Sequence, residues 1–251
     1  MPKHKVGTRE EWSAARKELH EREQELGELD EELAKQRQEL PWVPVEKDYT
    51  FDTEEGKKTL AELFDGRSQL LIYHLMFGPT YEQACPGCTG LADHLDGALP
   101  HMNNRDVTLM AISRAPIEKL KAYKQRMGWQ FPYVSSYGSD FNFDFDFAFT
   151  EEQMAEGEMA KMVAEADDWL KDWAKNVGTD LAHGMAEVPG WNVFKLEDGV
   201  VYHTYSTSAR GLEFMLGYYG FLDRAPNGRD EGDPPEMWIR RHDEYEDGHG
   251  G

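Results

Sequence analysis

Two cysteines separated by two residues are the side chains of this sequence with the clearest chemical potential. Cys85 and Cys88 form the segment Cys-Pro-Gly-Cys and are the only cysteines among the 251 residues. A thiolate at the first position of such a motif can attack a disulfide, and the second sulfur can then resolve the mixed disulfide. Because the same motif is also half of a typical zinc site, its surroundings must decide between the two chemistries.

The surroundings of the motif favour dithiol chemistry. The continuous apolar run QLLIYHLMF at residues 69–77 predicts a strand buried on both faces, and apolar residues at helical spacing follow over residues 89–102. The motif therefore lies at a helix N-terminus, where free N–H groups and partial positive charge favour a thiolate on Cys85. No second close pair of cysteine or histidine residues accompanies it. We therefore predict no metal and no cofactor, and a sensing, metal-binding or purely structural pair stays an alternative.

Polar residues at the predicted carboxyl edge of the sheet are candidates for substrate binding. Arg114 follows a second buried strand at residues 106–113, at the edge where parallel sheets place ligand groups. We expect it to hold an anion or a thiolate, with a structural ion pair as the alternative. Asp140 and Asn142 end a polar loop at residues 135–142 on the same edge, and they are predicted substrate contacts.

Two histidines and a run of phenylalanines have structural interpretations beside functional ones. His74 lies in the predicted redox strand and is interpreted as a hydrogen-bonded core histidine, with a contact to the redox site as the alternative. His203, in a predicted hairpin, is an alternative ligand or proton relay. Five phenylalanines at alternate positions over residues 141–149 predict a half-buried strand or flap that packs the core rather than lining a substrate site.

Strands and helices alternate over residues 43–225 and predict an α/β fold. The segment 106–113 is followed by a helix that Pro116 opens, a short strand at 131–135 and a helix that opens with a capping box at Thr150. Two strands around the turn 196–199 predict an antiparallel hairpin, and a last helix is expected over 209–222. We predict a central mixed sheet of four or five strands, with residues 69–77 in the middle and helices on both faces.

The two ends of the chain are predicted to be appendages of this domain. Residues 8–40 read as one helix with a capping box at Thr8 and Glu11, inside an N-terminal arm of residues 1–42. Its apolar residues recur every seven positions, and we expect them to dock on the domain or to form a homodimer. The tail, residues 226–251, carries the segment Met237-Trp238-Ile239, which should pack back onto the core. The main domain is then residues 43–225. The heptad residues are Trp12, Leu19, Leu26, Leu33 and Leu40.

Composition excludes some classes of partner. The formal net charge of −21 would repel a phosphate backbone, so no nucleic acid is expected as a partner. No stretch of about 18 apolar residues is present to span a membrane. The N-terminus has no apolar core of a signal peptide, and the expected compartment is the cytoplasm. There a pair of cysteines is more often catalytic or redox-sensing than a permanent disulfide.

Ordered blocks along nearly the whole chain resemble a bacterial family of thioredoxin-like proteins of unknown function, whose members are often labelled dithiol–disulfide isomerases. The resemblance implies a thioredoxin-like fold with a CxxC motif, and it leaves the reaction open. The blocks include Leu40-Pro41-Trp42-Val43, Tyr73-His74-Leu75-Met76-Phe77-Gly78-Pro79, Cys85-Pro86-Gly87-Cys88, Arg105-Asp106-Val107-Thr108-Leu109, Ser113-Arg114-Ala115-Pro116, Met127-Gly128-Trp129, the loop from Ser135 to Asn142, His203-Thr204-Tyr205-Ser206-Thr207, Ala209-Arg210-Gly211 and Arg240-Arg241-His242-Asp243-Glu244-Tyr245.

The resemblance to thioredoxin-type proteins also assigns a role to Pro189. In those proteins a proline, usually cis, lies opposite the CxxC motif at the start of the later hairpin. Pro189 occupies that place, with an ordinary turn proline as the alternative. We therefore predict a thiol–disulfide oxidoreductase with Cys85, Cys88 and Pro189 in its catalytic site. Its partner would be a protein or small-molecule thiol or disulfide, and the acidic surface should disfavour acidic thiols such as glutathione.

A peroxidase is the alternative enzyme. The segment before the redox strand is similar to that of peroxiredoxins of the alkyl-hydroperoxide-reductase type. Their peroxidatic cysteine usually follows the pattern P-x3-[ST]-x2-C. Here Pro79 lies six residues before Cys85 rather than seven, and Thr80 is not three residues before it. The departure favours disulfide exchange over peroxide reduction.

Overall fold

The computed structural model describes residues 5–245, and the chain divides into two compact units, Met1–Trp42 and Val43–Gly251. The first unit is built on helix α1 (Arg9–Gln38), and the predicted capping box at Thr8 and Glu11 is present. None of the α1 side chains is buried, and Leu19, Leu26 and Leu33 are 55%, 67% and 39% exposed. Docking of this apolar stripe on the domain or on a second copy stays a prediction.

The second unit contains one mixed sheet of eight strands and nine α-helices among the described residues. The strands are β1 (Val43–Pro44), β2 (Thr50–Thr53), β3 (Gly56–Thr59), β4 (Gln69–His74), β5 (Val107–Ser113), β6 (Tyr133–Ser135), β7 (Gly190–Glu197) and β8 (Val200–Ser208). The helices are α2 (Pro86–Ala92), α3 (Leu95–Asn104), α4 (Ile117–Met127), α5 (Phe141–Asp144), α6 (Glu151–Ala155), α7 (Gly157–Ala164), α8 (Asp168–Asn176), α9 (Leu181–Met185) and α10 (Gly217–Leu222).

The strand order is β1-β8-β7-β4-β5-β6-β2-β3, with β4 near the centre as predicted. Strands β4, β5 and β6 are parallel, whereas β7 pairs antiparallel with β4 and continues into β8. A parallel strand–helix–strand unit beside an antiparallel hairpin, with the CxxC motif after the central strand, is the thioredoxin-like arrangement. The fold class is confirmed. The predicted number of four or five strands is wrong, because two-residue β1 and the hairpin β2–β3 extend the sheet at its edges.

The phenylalanine run does not form the predicted strand or flap. Its first part is helix α5, because Phe141 and Phe145 lie four residues apart and pack against each other with ring centroids 4.9 Å apart. Two predicted helices are also divided. The segment after Thr150 forms α6, α7 and α8, and the last helix is a 3-10 helix, Ala209–Met215, followed by α10. In both cases apolar spacing predicted helical residues correctly but missed the breaks between helices.

The core lies on both faces of the central strands. Leu70 and Ile72 of β4 belong to one apolar cluster, and Tyr73 of the same strand belongs to the other. The cluster that contains Tyr73 also includes the tail, since Ile239 is buried in it and Trp238 packs against it. Packing of the Trp238 segment onto the core is thereby confirmed. Within residues 5–245, every helix is too short or too polar to cross a membrane.

Candidate functional site

The CxxC motif lies at the N-terminus of α2, as the sequence predicts. Cys85 is the N-cap residue and Pro86 is the first helical residue, a position that needs no free N–H. The Cys85 N–H donates to the carbonyl of Met76 at 3.0 Å, and the Cys85 carbonyl accepts the N–H of Thr89 at 2.9 Å. These bonds tie the motif to the end of the central strand on one side and to the helix on the other.

The two thiols have different surroundings. Both are free, with Cys85 partly exposed and Cys88 5% exposed. A hydrogen bond from Cys88 lowers the pKa of Cys85, against the effect of burial, and the Trp173 side chain and the backbone N–H groups of Cys88 and Gly87 lower it further. The same contact with Cys85, together with burial, raises the pKa of Cys88 well above its ordinary value. Cys85 is therefore the sulfur that is both accessible and readily ionised.

Cys85 and Cys88 line an apolar cleft of about 760 Å³. Most of its walls come from α2, α8, the 3-10 helix Ala209–Met215 and the C-terminal tail, and the end of β4, α9 and the residue before β7 complete them. Such a volume suits a small-molecule ligand or a few side chains of a peptide. Its apolar lining residues include Met76, Leu91, Trp169, Leu170, Trp173, Met185, Leu212, Leu216, Pro234, Pro235, Met237 and Ile239.

Pro189 lies in the wall of this cleft, directly before β7. The next residue, Gly190, pairs with His74 at the end of β4, so the hairpin places Pro189 beside the CxxC motif. The peptide bond that precedes Pro189 is trans, and the cis peptide among the described residues is Asp233–Pro234. The cis geometry that thioredoxin-type proteins usually have is therefore not present at Pro189.

Arg114 lies in a different cavity from the cysteines. It donates to the Oε1 atom of Glu187 at 2.8 Å, and its guanidinium carbon is 4.2 Å from the ring centroid of Phe143. These residues line a second cavity of about 580 Å³. Burial raises the pKa of Glu187 to about 7, although Arg114 acts in the opposite direction. The structure thus shows the ion pair that was the alternative to an anion site, and Arg114 is not among the residues lining the cysteine cleft.

Asp140 and Asn142 also lie outside the lining of the cysteine cleft. Asp140 forms an ion pair with Lys47 at 2.8 Å. The side-chain nitrogen of buried Asn142 lies 3.2 Å from Nδ1 of His74. His74 is a satisfied core histidine, since its Nε2 atom is 3.0 Å from the amide nitrogen of Asn192, whose oxygen lies 3.0 Å from Nε2 of His203. This polar network joins strands across the sheet, and neither histidine lines the cleft.

Two residues near the cysteines were missed by the sequence analysis. Trp173 was not singled out, although its side chain forms a hydrogen bond that lowers the pKa of Cys85. Arg241 was noted only as part of a family block. Its Nε and Nη2 atoms donate to the carbonyl of Ala84 at 3.1 and 2.7 Å, next to Cys85, and the side chain is buried. Trp173 and Arg241 both lie far from Cys85 in the sequence, so no local sequence pattern indicates these contacts.

Over residues 5–245, no group of three or more histidine, cysteine, aspartate or glutamate side chains is arranged to hold a metal ion. The cysteine pair is instead surrounded by aromatic and aliphatic side chains.

Comparisons with known proteins cover most of the chain. A family model described as "Bacterial protein of unknown function (DUF899)" matches residues 1–245. Peroxiredoxin Q of Xanthomonas campestris is 14% identical with a TM-score of 0.44, over 70% of this chain and 89% of that one. Peroxidoxin BcpB of Mycobacterium tuberculosis is 15% identical with a TM-score of 0.43, over 71% and 93%. No curated protein matches. Likenesses of this size carry no conclusion about activity.

Proposed function

The chain belongs to the family described as bacterial proteins of unknown function (DUF899), and we propose that it catalyses thiol–disulfide exchange through Cys85 and Cys88. The observation that carries the proposal is the asymmetry of the pair at the cleft. Cys85 is accessible and has a lowered pKa, whereas Cys88 is buried, has a raised pKa and donates a hydrogen bond to Cys85. An attacking thiolate needs the first environment, and a resolving thiol needs the second.

The reaction proceeds in two balanced steps. The Cys85 thiolate attacks one sulfur of a substrate disulfide, so that a Cys85–substrate bond forms, the substrate S–S bond breaks and the leaving thiolate takes up a proton. Cys88 then loses its proton and attacks the Cys85 sulfur, which releases the second substrate thiol. The protein dithiol is oxidised to a disulfide by two electrons while the substrate disulfide is reduced to two thiols. An external dithiol reductant returns the protein to its starting state.

Surrounding residues assist the first step. The backbone N–H groups of Gly87 and Cys88 at the helix start and the Trp173 side chain stabilise negative charge on Cys85. Tyr73 forms a side-chain hydrogen bond with Cys88 and lines the cleft, and it pairs with Trp191 of β7, the strand that begins directly after Pro189. Pro189, which lines the same cleft, would contact the substrate chain.

The test is trapping of the mixed disulfide. Reduced C88S protein should form a stable adduct on Cys85 with hydroxyethyl disulfide, a small neutral disulfide, whereas reduced C85S protein should form none at a comparable rate. In the wild-type protein, iodoacetamide labelling over pH 5 to 9 with peptide mapping should modify Cys85 first. Its apparent pKa should lie below the free-thiol value of about 8.5. Slow and equal labelling of both cysteines would contradict the proposal.

The same proteins would distinguish two alternative functions, a metal-binding pair and a peroxidase. Labelling that begins only after a chelator is added would indicate a metal-binding pair. Rapid oxidation of Cys85 by a hydroperoxide, without reaction with disulfides, would indicate a peroxidase. No contact around Thr80 supports a peroxidase, since its hydroxyl lies 2.7 Å from that of Thr179 and Thr80 lines the second cavity.

A further inference from the structure

The second cavity has an apolar lining around one ion pair. Its volume of about 580 Å³ suits a small-molecule ligand. Arg114 and Glu187 form the ion pair, and their side chains are 19% and 4% exposed. The cavity is separate from the cysteine cleft, because the two share no lining residue. Its apolar walls include Phe143, Phe149, Met154, Ala155, Ala182 and Ala186.

The ion pair leaves hydrogen-bonding atoms unused on both partners. Nη1 of Arg114 donates to Oε1 of Glu187 at 2.8 Å, and the other guanidinium N–H groups have no acceptor within residues 5–245. Oε2 of Glu187 likewise accepts no hydrogen bond from that part of the chain. These atoms are not sealed inside the protein, so a molecule in the cavity can reach them. Unused donors beside an unused acceptor in an apolar cavity indicate a polar group of a ligand.

Gly78 leaves room for this carboxylate. A Cβ atom at position 78 would lie 2.8 Å from Oε1 of Glu187 and 3.0 Å from the ring of Tyr81. The Tyr81 hydroxyl donates to the carbonyl of Gly184 at 2.7 Å, which ties α9 to the segment that leads to Cys85. The carboxylate therefore lies against the backbone of one segment and close to a helix that the same segment holds.

The charges around the pair decide the form in which a ligand can bind. Arg114 already neutralises Glu187, and Glu151, an exposed residue of α6, adds a negative charge to the lining. A ligand anion alone would therefore meet a site without net positive charge. Burial raises the pKa of Glu187 to about 7, so this carboxyl group can take up a proton near neutral pH. A carboxylate that binds with one proton adds no charge, and two adjacent carboxyl groups share a proton for the same reason.

Other titratable groups near Glu187 are engaged elsewhere among the described residues. Nδ1 of His183, which lines the cavity, contacts Asp180. Tyr81 and Tyr133 interact electrostatically with Glu187, but burial raises the pKa of each hydroxyl well above its ordinary value, so both stay protonated. Glu187 is then the group that can exchange a proton when a ligand binds, and His183 is the rival that an experiment must exclude.

We propose that this cavity binds monocarboxylic acids with an apolar body, each together with one proton. The unused N–H groups of Arg114 would donate to one oxygen of the ligand, and Oε2 of Glu187 would share the proton with the other. Phe143, whose ring centroid is 4.2 Å from the guanidinium carbon, and Met154 would contact the apolar body. The site does not depend on the proposed disulfide exchange, because none of its residues lines the cysteine cleft.

Calorimetry of the full chain with 4-phenylbutyrate tests the proposal. Titrations in two buffers of different ionisation enthalpy give the number of protons taken up. We expect uptake of about one proton at pH 8 and close to none at pH 5.5, because Glu187, with a pKa of about 7, is ionised at the first pH and protonated at the second. For the same reason the dissociation constant should rise about tenfold from pH 8 to pH 9.

Four substitutions identify the proton acceptor and the group that binds the anion. Glu187→Gln should bind without proton uptake and with an affinity that changes less than about twofold from pH 8 to pH 9, because glutamine supplies a permanent donor. His183→Gln should keep the wild-type uptake. Arg114→Gln should weaken binding about tenfold or more, because charge-assisted hydrogen bonds are lost. Arg224→Gln is its matched control, since Arg224 is exposed and outside the lining, and it should not change binding.

Three results would overturn the proposal. The first is proton uptake that persists in Glu187→Gln or disappears in His183→Gln, since the proton would then lie elsewhere. The second is stronger binding of 4-phenylbutylamine, a cation of the same length, than of 4-phenylbutyrate. The third is a wild-type protein that does not bind 4-phenylbutyrate at pH 6.5 up to about 10 mM. Trapping of the mixed disulfide on Cys85 is measured separately, so each of these results leaves the proposed function standing.

Discussion

At the level of single residues, a few contacts make two chemically identical thiols unequal. Cys85 receives hydrogen bonds from Cys88, Trp173 and backbone N–H groups, and Cys88 is left as the protonated donor. Each hydrogen bond to a charged sulfur stabilises the ionised form, so each one lowers the pKa of Cys85. The arrangement assigns the attacking and resolving roles before any substrate is bound.

The Trp173 contact gives the first prediction. Trp173→Phe should raise the apparent pKa of Cys85 by about one to two units, because a hydrogen bond to a charged group is worth roughly 1.5–3 kcal/mol. Iodoacetamide labelling against pH measures the shift. Trp169→Phe is the control, since Trp169 lines the same cleft and is not among the groups that lower the pKa of Cys85. A shift of the same size in both proteins would attribute the effect to packing.

The buried pair of Arg114 and Glu187 gives a prediction about pH. Burial raises the pKa of Glu187 from 4.5 to about 7, so the folded protein keeps a proton that the unfolded chain releases. This group therefore destabilises the fold progressively as pH rises from about 4.5 to about 7. The stability of the wild-type protein relative to Glu187→Gln should fall across that interval, as measured by urea unfolding.

The exposed residue Glu118 provides the control for these urea unfolding measurements. Glu118→Gln removes an exposed carboxylate of α4, whose side chain is 80% exposed, and its difference from the wild type should not change over that interval. A Glu187→Gln difference that rises with pH would show that Arg114, rather than burial, dominates the carboxylate.

At the level of secondary-structure elements, the cleft is an assembly of segments distant in sequence. The tail contributes Pro234, Met237 and Ile239, and it is held in place by polar contacts. Arg126 of α4 forms an ion pair with Asp243 at 2.7 Å. Arg241 donates to Ala84, and its Nη1 atom lies 3.0 Å from Glu244. The tail is therefore a wall of the site.

Removal of the buried guanidinium tests this role of the tail. Arg241→Ala should lower the free energy of unfolding by about 2–4 kcal/mol, because the Ala84 carbonyl loses both donors and a cavity remains. The same change should alter the rate of Cys85 labelling, since Ala84 precedes Cys85. Urea unfolding and iodoacetamide labelling measure the two effects. Arg240→Ala, at an exposed neighbour, should cost less than about 1 kcal/mol. Equal costs would rule out an anchoring role for Arg241.

At the level of the whole molecule, the N-terminal helix is the element with an unassigned role. Its residues Leu19, Leu26 and Leu33 recur every seven positions and are exposed in the single chain. An apolar stripe on a charged helix is typical of a helix that pairs with another. We therefore propose that α1 forms a homodimer contact.

Sedimentation of the full chain tests the dimer. The wild-type protein should sediment as a dimer at micromolar concentration, and the triple change Leu19→Glu, Leu26→Glu and Leu33→Glu should give a monomer, because charges replace the apolar stripe. The control adds the same three charges away from the stripe, as Ser13→Glu, Gln24→Glu and Gln38→Glu. A monomeric wild type, or dimers that survive the triple change, would contradict the proposal.

Local patterns in the sequence were sufficient for much of this molecule. The capping boxes at Thr8 and Thr150, the apolar strand before the CxxC motif and the turn between β7 and β8 depend on neighbouring residues, so their signals are complete within short segments. The resemblance to thioredoxin-type proteins, rather than a local pattern, implied the place of Pro189 opposite the CxxC motif. Family resemblance added the thioredoxin-like topology.

Contacts between distant residues specified the rest. Arg114 pairs with Glu187, 73 positions away, and Arg241 bonds to Ala84, 157 positions away. Neither partner could be chosen from spacing, because several carboxylates and carbonyls were equally available to each arginine. Phe141 began a helix instead of a strand because its packing against Phe145 favours a separation of four residues. Close packing selects among such options by burying particular side chains together, and this information is present only in the folded chain.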